Sequence, residues 1–139
     1  NGRDKDYIFD INKFADTQGK TGPYILYTYL RMNKIVKKYN FNINNLSNNI
    51  YNNCDRDLRI CILDLENSIN NAFKEFKPNY IAEYLYNLCV CLNSFYQNNR
   101  ISDIKDDEKL NDWISIISLS NKIIKDMLNL LIIDIPTEM

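Results

Sequence analysis

Tyr24, Tyr27, Arg31, Lys34 and Lys38 are the residues of this chain whose types and spacing best fit a chemistry. Counted at about 100° per residue from Tyr24, they fall between roughly 280° and 360° of a helical wheel. Ile25, Tyr29, Met32, Val36 and Tyr39 fall between roughly 60° and 140° and form a separate apolar face. Two aromatic rings and three cations on one stripe suit unpaired nucleobases. Rings stack on bases for about 1–3 kcal/mol each, and cations meet phosphates or base edges. The same stripe also reads as a solvated basic face that includes two tyrosines, because Lys and Arg belong outside. Spacing alone leaves both readings open.

Other chemistries find less support. The chain has no histidine for general base work and only three glycines, none spaced as a phosphate loop. No nucleophile has a visible activator. Asp106 and Asp107 read as charges at a helix N-terminus rather than as an acid/base pair, and Trp113 reads as a core residue. Without histidine, zinc sites of mixed Cys/His type are excluded. Cys89 and Cys91 lie roughly 200° apart on a helix and point to different sides. All four cysteines (Cys54, Cys61, Cys89 and Cys91) are therefore expected as reduced thiols inside the protein, in a reducing compartment. The expectation is a domain that binds rather than catalyses, with no metal and no cofactor of its own.

The elements that must position the stripe follow from periodicity. A chain of 139 residues is the size of one domain, and 45% apolar with 25% charged residues excludes wholesale disorder. A net charge of -1 excludes a global field for polyanions, so any nucleic-acid site must be a local patch. Asn and Ile are enriched along the whole length, as codon drift in an AT-rich genome would produce. No signal peptide, spanning segment or lipidation motif is present, so a cytoplasmic protein with no membrane partner is expected. The first residue is Asn1 rather than Met, which suggests a piece of a longer protein.

Residues 1–20 read as a connector, with Tyr7-Ile8-Phe9-Asp10-Ile11 alternating like a short strand. Residues 21–139 read as a helical domain. The first helix opens with Gly22 as N-cap and Pro23 at the first helical position, and runs to about Tyr39. Ile43, Leu46 and Ile50 suggest a short helix within the Asn-rich stretch that follows. A second helix opens at Asp55 or Asp57 and carries Leu58, Cys61, Ile62, Leu65, Ile69, Ala72, Phe73 and Phe76 inward. A third starts at Pro78 with Ile81, Leu85, Leu88, Leu92 and Phe95 on one face. The fourth follows Asp106-Asp107-Glu108 and carries Leu110, Trp113, Ile114, Ile117, Ile124, Met127, Leu128 and Leu131. The expected fold is all-α, an antiparallel helical bundle of four to five helices.

The stretch Thr21-Gly22-Pro23-Tyr24-Ile25-Leu26-Tyr27-Thr28-Tyr29-Leu30-Arg31 resembles the opening of the C-terminal domain of arginyl-tRNA synthetases, which reads Thr-Gly-Pro-Tyr-x-Gln-Tyr-x-x-Ala-Arg. Asp6-Tyr7-Ile8-Phe9-Asp10 is similar to the Asp-Tyr-x-Phe-Asp segment just upstream of it in that family. Tyr84-Leu85-Tyr86-Asn87-Leu88, Asn93-Ser94-Phe95-Tyr96 and the ending Ile135-Pro136-Thr137-Glu138-Met139 continue the likeness in order.

The resemblance implies the α-helical DALR-type anticodon-binding domain, which grips the anticodon loop of arginine tRNA. A separate catalytic domain, absent here, would attach arginine using ATP and Mg2+. It implies anticodon contacts from Tyr24, Tyr27, Arg31, Tyr96 and the terminal Met139; Lys34 and Lys38, on the same stripe, would extend a phosphate track along the loop backbone. Met139 would act through its side chain as an apolar lid or through its carboxylate. Leu26, Tyr29 and Leu30 depart from the family's usual Gln, His and Ala, and Asn79-Tyr80 and Glu83 depart as well, which bears on fine anticodon specificity. The competing reading is a protein-interaction module whose first helix docks a partner through Leu26, Leu30 and the tyrosines.

Overall fold

The computed structural model describes residues 8, 10–16, 18–39, 47 and 49–138. Within them the helices are α1 (Ile11–Ala15), α2 (Gly22–Tyr39), α3 (Asn53–Leu63), α4 (Leu65–Glu75), α5 (Asn79–Asn98) and α6 (Asp107–Leu130). A single 3-10 turn, Ile101–Asp103, joins the last two. The all-α expectation holds. No strand occurs among the described residues, and Ile11 opens a helix where an alternating strand was expected. Tyr7 and Phe9 of that segment lie outside the described residues, as do Ile43 and Leu46 of the expected short helix. Ile50, the third member of that helix, is exposed and irregular.

Side chains satisfy orphan N–H groups at the starts of α2, α3 and α6, whereas α4 and α5 begin without a side-chain cap. For α2 the capping residue is Thr21, not Gly22. Its Oγ1 accepts from the Tyr24 N–H at 3.3 Å and donates to the Asp16 carbonyl. Pro23 sits in the first turn, where no intrahelical N–H is needed. For α3 the cap is Asn52, whose side chain accepts from the Asp55 N–H at 2.9 Å. Asp55 and Asp57 were expected there, but the Asp55 carboxylate is committed elsewhere. Asp106 caps α6 by accepting from the N–H groups of Glu108 and Lys109, and Asp107 and Glu108 occupy its first turn, as read from the sequence.

The expected second helix is two. Asp64 turns the chain between α3 and α4: its N–H reaches back to the Ile60 and Ile62 carbonyls, and its carboxylate accepts from the Asn67 side chain. Short polar side chains compete in this way with the helical ladder. After the break, α4 turns Leu65, Ser68 and Ala72 inward. Phe73, about 100° round from Ala72, is exposed, against expectation. Phe76 is also exposed, because it ends α4 in the left-handed conformation at φ 54°, with the Lys77 N–H closing on the Ala72 carbonyl.

α5 forms the centre and packs against α2, α3, α4 and α6, while α2 also lies on α6. Leu85, Leu88, Leu92 and Phe95 of α5 are fully buried, with Met32, Leu58, Ile114, Ile117 and Ile124 from the helices around them. Trp113 belongs to this core: its ring meets Phe95 edge-on, with centroids 5.3 Å apart. Such edge contacts add about 0.5–1.5 kcal/mol to the burial itself.

A buried ion network ties α3 to α6. Arg59 donates through Nε to Asp55 at 2.8 Å, through Nη2 to Asp112 at 2.5 Å and through Nη1 to the Ser47 carbonyl at 3.0 Å. Both carboxylates are fully buried. Their remaining lone pairs accept from the Tyr51 and Ser47 N–H groups. Burial works to lower the Arg59 guanidinium, but the bonds and charges of Asp55 and Asp112 carry it above its usual value.

Candidate functional site

α2 places the five stripe residues as the wheel requires. Ile25, Tyr29 and Met32 are buried against the bundle, and Val36 and Tyr39 pack partly on it. Tyr27, Lys34 and Lys38 are exposed, and Tyr24 and Arg31 are half-buried on the same side.

α5 supplies the second half of the site. The Arg31 guanidinium lies over the Tyr96 ring, 4.8 Å from its centroid. A cation over an aromatic face is worth about 0.5–1 kcal/mol where exposed, and it holds both planes in a fixed attitude. Beside this pair, Tyr27, Leu30, Arg31 and Lys34 line a small concavity of about 230 Å³. Four of the proposed contacts, Tyr24, Tyr27, Arg31 and Tyr96, are thus positioned by two packed helices. Met139 lies outside the described residues.

Tyr24 is held from behind. Its ring packs against Tyr86 at 5.6 Å, and its Oη accepts from Asn93 Nδ2 at 3.0 Å. The polarity of that bond follows from its neighbour. Thr28 donates its only hydroxyl proton to the Tyr24 carbonyl at 2.9 Å, so toward Asn93 it must accept. The Asn93 amide therefore turns its NH2 toward Thr28, and the same NH2 reaches Tyr24. Tyr24 consequently keeps its own O–H proton for an acceptor outside the bundle. Burial pushes its phenol above the ordinary tyrosine value, against the lowering effect of the Asn93 bond, so the hydroxyl remains a donor at neutral pH.

Tyr86, Asn93 and Lys20 had no assigned role in the sequence reading. Lys20 bridges to Glu83 at 2.5 Å and lies 5.7 Å from the Tyr86 ring, extending the same surface. The signal for two of them was present: residues 86, 93 and 96 stand seven and three apart, on one face of a helix.

The structure removes the basis for docking a partner through leucines of α2. Leu30 is buried, and Leu26 packs on the core, so neither offers an exposed apolar anchor. Tyr29 and Leu30, which depart from the usual residues of the resembling family, act within the core rather than on the stripe. Among the described residues no cluster of three His, Cys, Asp or Glu side chains is arranged to hold a metal ion, and no helix is long and apolar enough to cross a membrane.

Known proteins share this fold and much of this sequence. Residues 25–139 match the family model described as the DALR anticodon binding domain. The arginine–tRNA ligase of Alkaliphilus oremlandii is 33% identical over 138 residues, covering 97% of this chain and 24% of the relative. That of Agathobacter rectalis is 32% identical over 145 residues, covering 100% of the chain and 24% of the relative. The chain thus spans about a quarter of the length of the curated relatives it matches. The crystal structure of the arginyl-tRNA synthetase from Plasmodium falciparum superposes with a TM-score of 0.83 at 24% identity, covering 99% of this chain and 24% of that one. With a family match over most of its length, on a fold that presents the stripe outward, the chain belongs to the family of DALR anticodon-binding domains.

Proposed function

We propose that the α2 stripe, completed by Tyr96, holds the splayed anticodon loop of arginine tRNA for an arginine–tRNA ligase. The observation that carries this reading is the Arg31–Tyr96 pair beside the exposed Tyr27 ring. A guanidinium over an aromatic ring satisfies none of its N–H donors there, so a base edge or phosphate can accept two at once. Tyr27 offers a free face for stacking, and Tyr24 offers a proton. Lys34 and Lys38 continue the positive track along the loop backbone. Met139 would close the site with its side chain or its carboxylate.

The loop bases must leave their own stack to reach these groups, and pre-fixed side chains limit the entropy lost on binding. ATP and Mg2+ belong, on this reading, to a catalytic domain outside this chain, which is the other partner of the bundle. A cytoplasmic setting goes with it.

The test is Arg31→Ala in the full-length protein. Aminoacylation of arginine tRNA is expected to lose about 1–3 kcal/mol in kcat/KM, roughly 5- to 150-fold. Unchanged charging kinetics would remove Arg31 from the site.

A further inference from the structure

The bundle contains a second constellation, remote in kind from the stripe. Cys61 on α3 and Cys91 on α5 come together between two packed helices, near enough for each thiol to shift the other's titration. Both are half-buried, and both line an open pocket of about 700 Å³ between α3, α4 and α5. The buried Tyr84 belongs to the same lining. Its hydroxyl has no hydrogen-bond partner among the described residues, and it lies close enough to interact electrostatically with both thiols. Cys89, by contrast, is fully buried, and that burial pushes its thiol up to about 12.

We propose that Cys61 and Cys91 are a dithiol modification site, oxidised by a small hydroperoxide to a disulfide that ties α3 to α5. The Cys91 thiolate attacks the nearer peroxide oxygen. The O–O bond breaks, and the leaving oxygen departs as an alcohol or water after taking a proton, for which the Tyr84 hydroxyl is a neighbouring donor. Cys91 is then a sulfenic acid. The Cys61 sulfur attacks it, the S–O bond breaks, and water leaves with the Cys61 proton. In sum, two thiols and one hydroperoxide give one disulfide, one alcohol and one water, a two-electron exchange.

The pair is suited to this order of events. Interaction with Cys61 draws the Cys91 thiol below its ordinary value, against burial and Asp57, which makes Cys91 the readier thiolate. Cys61 is pushed up by the same pairing, by burial and by Asp64, and keeps its proton until the second step. The pocket admits a small oxidant. α3 and α5 pack against each other, so the two thiols approach from neighbouring helices across one shared pocket.

The test uses the native full-length protein treated with graded hydrogen peroxide, then alkylated, digested with trypsin and sequenced without reduction by mass spectrometry. Cleavage after Arg59 separates Cys61 from Cys54, and fragment ions distinguish Cys91 from Cys89. The expected product joins Cys61 to Cys91 with loss of two hydrogens, is reversed by dithiothreitol, and forms while Cys89 remains alkylatable after unfolding. In Cys61→Ser, Cys91 should accumulate as a sulfenic acid that dimedone traps, at least fivefold above the unsubstituted protein. Separate alkylation of both thiols after a large excess of hydrogen peroxide would overturn the proposal. So would equal dimedone labelling with and without Cys61.

Discussion

The direction of the hydrogen bond between Asn93 and Tyr24 can be tested by changing one atom at each end. Tyr24→Phe keeps the ring against Tyr86 and removes only the hydroxyl. Asn93 retains Thr28 as an acceptor at 2.9 Å, so one NH2 proton loses its partner at a half-exposed position where water can replace it. Little stability should be lost, within about 0.5 kcal/mol for a substitution of this kind. Binding is different, because the proton that Tyr24 reserves for an outside acceptor is gone. A neutral hydrogen bond is worth about 0.5–1.5 kcal/mol, which is roughly 2- to 13-fold in Kd, and one to a phosphate about 1.5–3 kcal/mol, roughly 13- to 160-fold. The size of the loss therefore reports whether a base or the backbone accepts. Asn93→Asp provides the reciprocal change: a carboxylate can only accept, so it turns the Tyr24 proton inward and should weaken binding at least as much. The assay is fluorescence anisotropy of labelled arginine tRNA with the full-length protein at fixed salt, with thermal melts as the control for folding. Undiminished affinity in Tyr24→Phe, with the fold intact, would refute the outward-donor argument.

Two further outcomes follow from the geometry. Lys34→Gln and Lys38→Gln should each flatten the dependence of log Kd on log salt by about 0.7, if each lysine neutralises one phosphate of a single-stranded loop, as a salt titration of the double variant would show; an unchanged slope removes them from the phosphate track. Asp112→Ala leaves Arg59 facing one carboxylate instead of two and should cost about 3–5 kcal/mol in urea unfolding, with the midpoint shifting at constant slope.

Much of the bundle was legible because its helices obey a single period. Ile81, Leu85, Leu88, Leu92 and Phe95 could be read as a buried face from spacing alone, and all five are buried. The α2 stripe was legible for the same reason. What escaped was whatever depends on a polar side chain choosing between two partners. Asp55 can cap α3 or bind Arg59, and only the position of α3 against α6 decides it. Asp64 breaks a helix that periodicity alone would continue, and Phe73 then faces outward although its spacing fits the apolar series. Asn93 illustrates the limit most directly. The residues it joins, Tyr24 and Thr28, are 69 and 65 positions away in sequence, and nothing local to α5 announces that contact.

The Arg59 network also discriminates between arrangements that leucine and isoleucine cannot tell apart. Apolar stripes repeat every turn, so α6 could slide along α2 and α5 by about 5.4 Å and still bury most of its hydrocarbon. Such a slide would strand two carboxylates and a guanidinium in the interior, at a cost of several kcal/mol. The ion network thus makes one register far more stable than its neighbours. Because α2 lies on α6, and α6 on α5, fixing that register also fixes how far along the bundle Tyr24 and Arg31 arrive relative to Asn93 and Tyr96. A charge cluster with no exposed function of its own thereby sets the alignment of a recognition surface built on other helices.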